Sequence, residues 1–122
     1  MSATVAQGET YEERLTVRDR VTGDRVDLTG IRITSNVASG PGQGVICSRS
    51  TDPGDGIVLD DQAFGDTRGN ATITWPYSMT ALLAAATYAR DVWCDDQCVV
   101  KPEAFRVYVP VRPLPPPLAG RR

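Results

Sequence analysis

Short runs of alternating apolar and polar residues, each cut off by glycine, proline or aspartate, constrain this chain more than any other feature. The clearest case surrounds Gly23-Asp24-Arg25-Val26-Asp27-Leu28-Thr29-Gly30. Before it runs Tyr11-Glu12-Glu13-Arg14-Leu15-Thr16-Val17-Arg18, and after it Ile31-Arg32-Ile33-Thr34-Ser35-Asn36-Val37. A period of two puts Leu15 and Val17 on one face and Arg14, Thr16 and Arg18 on the other, which suits a sheet with one buried and one wet side. Gly23 and Gly30 can adopt positive φ, and Asp24 and Asp27 can accept hydrogen bonds from nearby backbone N–H groups, so each turn has its own mechanism. The stretch reads as strand, turn, short strand, turn, strand.

The same pattern continues along the chain. Residues 1–9 read as a short lead or edge strand ending at Gly8, followed by strands over 10–18, 25–28 and 30–39. Gly40-Pro41-Gly42-Gln43-Gly44 breaks the ladder, and strands resume at 45–50, 57–59 and 70–75, the last stopped by Pro76. Phe64, in the polar connection over 60–69, is a candidate lid on the core. One short helix is expected near residues 78–86, Ala-rich, with Ser78 as N-cap and Leu82 or Leu83 packing it down. Residues 87–94 and 98–101 form a hairpin around Asp95-Asp96-Gln97. A final strand over 104–111 aligns Phe105, Val107, Val109 and Val111. Pro102 and Pro110 donate no backbone hydrogen bond, which places this strand or part of it at a sheet edge.

These elements describe an all-β protein, an antiparallel β-sandwich for which the immunoglobulin-like arrangement is one candidate topology. A chain of 122 residues, 41% hydrophobic, builds one core. The domain is expected over residues 1–112, with a Pro-rich extension over 113–122 that favours polyproline II and spans about 30 Å.

Composition narrows the function. A net charge of -2 with scattered basic residues argues against a nucleic-acid partner. No run approaches the roughly 20 apolar residues of a membrane span, and the first residues lack the pattern of a signal peptide, so synthesis and assembly in a cytoplasm are expected. The sequence contains no histidine, which removes the usual general base near neutral pH.

Gly8-Glu9-Thr10, the strand ending at Asp19, and the stretch from Thr22 to Gly30 together resemble small tail-associated proteins of tailed phages. The pattern is similar to the N-terminal domain of upper baseplate proteins, where a Gly-x-x-Val-Asp-Leu-Thr-Gly stretch links the opening strands. Thr72-Ile73-Thr74-Trp75-Pro76, Met79-Thr80-Ala81-Leu82 and Tyr88-Ala89-Arg90-Asp91-Val92 fit its later part. The resemblance implies a β-sandwich building block of a virion, without enzymatic activity. The hairpin bearing Cys94 and Cys98 and the Pro-rich segment depart from that pattern.

The remaining constellations have plainer readings. Cys94 and Cys98 could approach each other across a hairpin, but zinc needs four ligands, and free thiols or a disulfide formed after release from the cell are the simpler alternatives. Cys47 reads as a core residue. Asp52, Asp55, Asp60, Asp61 and Asp66 could gather calcium, although their spacing is not that of an EF-hand, so solvated turn acids are the simpler reading. Asp91, Asp95 and Asp96 have no nucleophile and activating base beside them. Trp75 and Trp93 read as core anchors, with an interface role as the alternative.

The sequence therefore predicts no enzyme, no cofactor and no metal. It predicts a phage virion structural protein of the tail or baseplate region, located in the particle and bound to other virion proteins and to copies of itself in a symmetric assembly, with neither nucleic acid nor membrane as partner. The expected interface residues are Phe105, Val107 and Val109 of the last strand and Pro113, Leu114, Pro115, Pro116, Pro117, Leu118, Arg121 and Arg122 of the extension. Main-chain pairing along the edge and charge-assisted contacts from the arginines would supply the affinity. A capsid decoration, cement or head–tail accessory protein would use the same surfaces. A receptor- or glycan-binding module would instead need Trp93 and the Asp-rich loops to form a cleft.

Overall fold

In strand after strand, every second residue is buried, and those residues meet between two sheets. The computed structural model describes residues 2–111. In chain order the elements are β1 (Ala3–Ala6), β2 (Tyr11–Thr16), β3 (Ile33–Ala38), β4 (Val45–Ser50), β5 (Ile57–Leu59), β6 (Asn70–Trp75), α1 (Tyr77–Thr80), β7 (Ala86–Cys94) and β8 (Gln97–Tyr108). One sheet has the order β1-β8-β7-β3-β4 and the other β2-β6-β5. Among the described residues every strand pairing is antiparallel except that of β1 with β8, which run parallel, so the larger sheet is mixed. The fold is the expected all-β sandwich. Its strand order is that of the G-F-C-C′ and B-E-D sheets of an immunoglobulin-type domain, with β1 added beside the last strand.

The core draws on both sheets. Val5, Ile33, Val37, Val92, Phe105 and Val107 face it from one side, and Leu15, Ile57, Ala71, Ile73 and Trp75 from the other. Leu28 closes one end, fully buried although it lies in an irregular segment. Its N–H is taken by Gln62 Oε1 at 2.9 Å, so the buried backbone there is satisfied from the 60–69 connection.

Several local expectations change. Residues 25–28 form no strand: the pairing of Arg18 with Arg25 is an isolated bridge, and Leu28 turns inward instead of continuing a ladder. The helix is a single turn, α1, introduced by Pro76 and not by Ser78. Residues 81–85 leave the helix because β7 must start at Ala86, where it pairs with Val107. Leu83 packs inward while Leu82 points out. Phe64 is exposed and is not packed against the core as a lid.

The expected edge holds for only part of the strand. Phe105 and Val107 lie in β8, flanked by β7 on one side and β1 on the other, and both are buried in the core. They are therefore unavailable as interface residues. The argument from proline holds for Pro102, because β1 pairs only with residues 105–108 and, among the described residues, no strand lies on the outer flank of Pro102. Of the three residues expected on that edge only Val109 is exposed, and it lies beyond the end of β8. Residues 113–122 of the expected interface lie outside the described residues.

Candidate functional site

The most unusual chemistry is charged and buried. Arg90 on β7 and Glu13 on β2 both take inward positions, so their side chains meet between the sheets in an ion pair through Arg90 Nη1 and Glu13 Oε1. Arg90 Nη2 donates to Glu103 Oε1 on β8 at 3.0 Å. Trp75 Nε1 lies 3.4 Å from Glu13 Oε1. Phe105 completes the group: its ring packs edge-on to Trp75 at 5.4 Å and to Tyr11 at 6.3 Å, and the Arg90 guanidinium sits 5.9 Å from its centroid. Burial alone would lower the Arg90 pKa, but the hydrogen bonds and charges of Glu13 and Glu103 outweigh it and hold the group above its ordinary value. Burial, reinforced by Glu13, likewise raises the Tyr11 hydroxyl.

Arg90 is 0% exposed, so this cluster presents nothing to a substrate. Its position explains it better. In antibody domains a disulfide joins strands B and F with a tryptophan packed on it. Here the equivalent strands, β2 and β7, are joined by Glu13 and Arg90, with Trp75 against them. An ion pair takes the place of the covalent inter-sheet staple.

The cysteines confirm that no covalent staple is present. Cys47, Cys94 and Cys98 are free thiols. Cys94 pairs with Gln97 and Trp93 with Cys98, so Cys94 and Cys98 sit on successive rungs and project to opposite faces of the hairpin. Burial raises the pKa of all three, assisted by Asp95 at Cys94 and by Asp91 at Cys98.

The loop acids disperse. Asp52 pairs with Arg32 at 2.9 Å, Asp60 pairs with Arg14, Asp55 accepts from the Ser50 hydroxyl, and Asp61 caps the Ala63 N–H. Among the described residues no group of three or more potential ligands comes together to hold a metal ion. None of the larger clefts among the described residues is lined by Trp93, which sits half-buried on the outer face opposite Thr34 and Cys98.

Sheet edges are guarded in several ways. β1 and β5 are only four and three residues long. β4 carries a bulge between its first residues and aims Arg49 inward, opposite Ser35. The free flank of β8 contains Lys101 and Pro102. Short edges, bulges, inward charges, lysine and proline all discourage strand addition.

Among the described residues, two surfaces with docking chemistry lie at opposite ends of the sandwich. At one end the β6–β7 connection and the end of β8 gather exposed apolar residues: Leu82 is 86% exposed, Val109 60% and Val111 98%. This is the end from which the chain passes to residue 112. At the other end a cleft of about 570 Å³ opens between the turn after β2 and the β7–β8 hairpin. Val17, Val26, Ile31 and Val99 give it an apolar floor, and Asp19, Asp95 and Asp96 stand at its rim beside Arg18 and Arg20. The hairpin tip is firmly set: the Asp95 N–H donates to Arg32 O at 2.8 Å, and Asp95 Oδ1 accepts from the Arg32 N–H at 3.0 Å. Comparison of the chain with family models, curated proteins and solved structures finds no match.

Proposed function

We propose that this chain is a non-enzymatic structural protein of a tailed-phage virion, an assembly module of the tail or baseplate region that docks onto neighbouring subunits. The observation that carries the reading is the placement of exposed Leu82, Val109 and Val111 at the end where the Pro-rich segment departs. Apolar side chains gathered at the root of a Pro-Leu-Pro-Pro-Pro-Leu segment are the chemistry of a docking end. The buried charges of Glu13, Arg90 and Glu103 are engaged with one another and join the sheets, which supports a structural role for them. The resemblance of most of residues 8–110 to upper baseplate proteins suggests the phage context.

Docking here differs from the expected mode. The guarded edges shift the contact from strand addition to the ends of the sandwich and the segment 113–122. Deleting residues 113–122 is expected to leave a folded domain that no longer enters particles, checked by circular dichroism of the purified variant and immunoblots of purified virions. Normal incorporation would remove the segment from the mechanism. Immunoblots of separated heads and tails test the location, and recovery in heads would replace the tail assignment with a capsid decoration or cement role.

A further inference from the structure

The cleft at one end and the segment leaving the other are chemically complementary, and we propose that they meet between successive copies: residues 112–122 of one subunit occupy the cleft between the β2 turn and the β7–β8 hairpin of the next. The inference rests on the assembly reading above and names the partner as a second copy of this chain. Three carboxylates and two guanidiniums leave the rim of the cleft net negative, while its floor is apolar. The segment Arg112-Pro113-Leu114-Pro115-Pro116-Pro117-Leu118-Ala119-Gly120-Arg121-Arg122 places leucines and prolines between cationic ends and contains no acid. Proline fixes φ in the free chain, so seating such a segment forfeits less conformational entropy than seating an ordinary peptide.

Distance decides whose cleft is filled. β8 carries the chain from the hairpin tip at Gln97 to Tyr108 at the far end, about 36 Å at about 3.3 Å per residue. Leu114 follows Tyr108 by six residues, a reach of about 20 Å even fully extended. Leu114 cannot return to the cleft of its own subunit, and Leu118, ten residues after Tyr108, falls short of it at the roughly 31 Å that polyproline II spans. A copy stacked end to end brings cleft and segment together and also covers Leu82, Val109 and Val111. The contact uses two different surfaces, so it is heterologous: it closes into a ring or continues as a filament, according to the rotation between copies.

Two variants of the full chain test this by sedimentation velocity. Asp96→Lys with Gln97→Lys reverses the charge of the rim at two exposed positions. Leu114→Asp with Leu118→Asp removes the apolar anchors of the segment and sets like charge against the rim. The parent chain is expected to show a mass that grows with concentration in the micromolar range, and each variant to need at least about tenfold more protein to associate. An equimolar mixture of the two variants is expected to form dimers and nothing larger, because only one intact cleft faces one intact segment. Unchanged circular dichroism confirms that both variants are folded. A parent that stays monomeric, a Leu114/Leu118 variant that associates like the parent, or a mixture that stays monomeric overturns the proposal. If the chain is monomeric and deletion of 113–122 still keeps it out of particles, the segment grips a different protein and only the head-to-tail contact is lost.

Discussion

At the scale of single residues, the ionic staple carries the sharpest expectation. Removing Arg90 leaves the buried Glu13 carboxylate without its cation in a water-poor interior, and breaking a buried ion pair from one side costs about 3–5 kcal/mol. Arg90→Met should lose stability on that scale in urea unfolding, while Glu13→Leu combined with Arg90→Met should recover part of it, because the buried Glu13 carboxylate is gone although Trp75 Nε1 loses its acceptor and Glu103 loses Arg90. The staple was not legible in the sequence. Glu13 and Arg90 occupy inward positions of their alternating runs, but nothing in either run says which strands of opposite sheets will lie face to face. Acids in the turns were easier to read. Asp27 accepts from both the backbone N–H and the hydroxyl of Thr29, at 3.0 and 2.7 Å. These bonds, the backbone one first, hold its pKa below the ordinary 3.8. A carboxylate with a depressed folded pKa stabilises the fold above its unfolded pKa, and the effect vanishes as pH falls through the folded value. Asp27→Ala should therefore be less stable than the parent at pH 7, and the gap should close as unfolding is followed below pH 3.8.

Strands were predictable where their boundaries were local. Residues 45–50, 57–59 and 70–75 begin and end where glycine, proline and aspartate say they should. Errors came from long-range partners. The chain's own start supplies β1 and so turns the end of β8 from an edge into an interior strand, which no pattern within β8 could announce. Connections also differ in how much structure leans on them. Gly69 and Gly23 both have positive φ, at 82° and 77°. A Cβ on Gly69 would lie 2.7 Å from the Val17 carbonyl oxygen, whereas one on Gly23 meets nothing within 4 Å. Gly23→Ala should cost about 1 kcal/mol of backbone strain, and Gly69→Ala distinctly more, because its neighbour is backbone that pairs with Val26 and cannot yield. Thermal unfolding of the two variants gives the comparison. The β7–β8 hairpin makes its own prediction. With Cys94 and Cys98 on opposite faces and all three thiol pKa values raised, mild oxidation should leave three alkylatable thiols by mass spectrometry, each reacting slowly at neutral pH and faster as pH rises.

For the molecule as a whole, folding and docking draw on different residues. The core, the staple and the cap around Leu28 lie between the sheets, whereas the apolar end formed by Leu82, Val109 and Val111 contributes to none of them. Substituting exposed residues away from buried contacts changes stability by about 0.5 kcal/mol or less. A protein that worked alone would gain solubility and lose nothing if Leu82 and Val109 were polar. If this end is instead covered in an assembly, Leu82→Asp with Val109→Asp would bury two carboxylates against apolar surface, at a cost the contact could not offset. The variant should therefore unfold at the same urea concentration as the parent, with the tryptophan fluorescence and far-UV circular dichroism transitions still coincident as expected for one cooperative unit. It should nevertheless be depleted from purified particles when produced in place of the parent. Equal stability with equal incorporation would show that the apolar end is not a docking surface, and a lowered unfolding midpoint would show that these side chains belong to the fold.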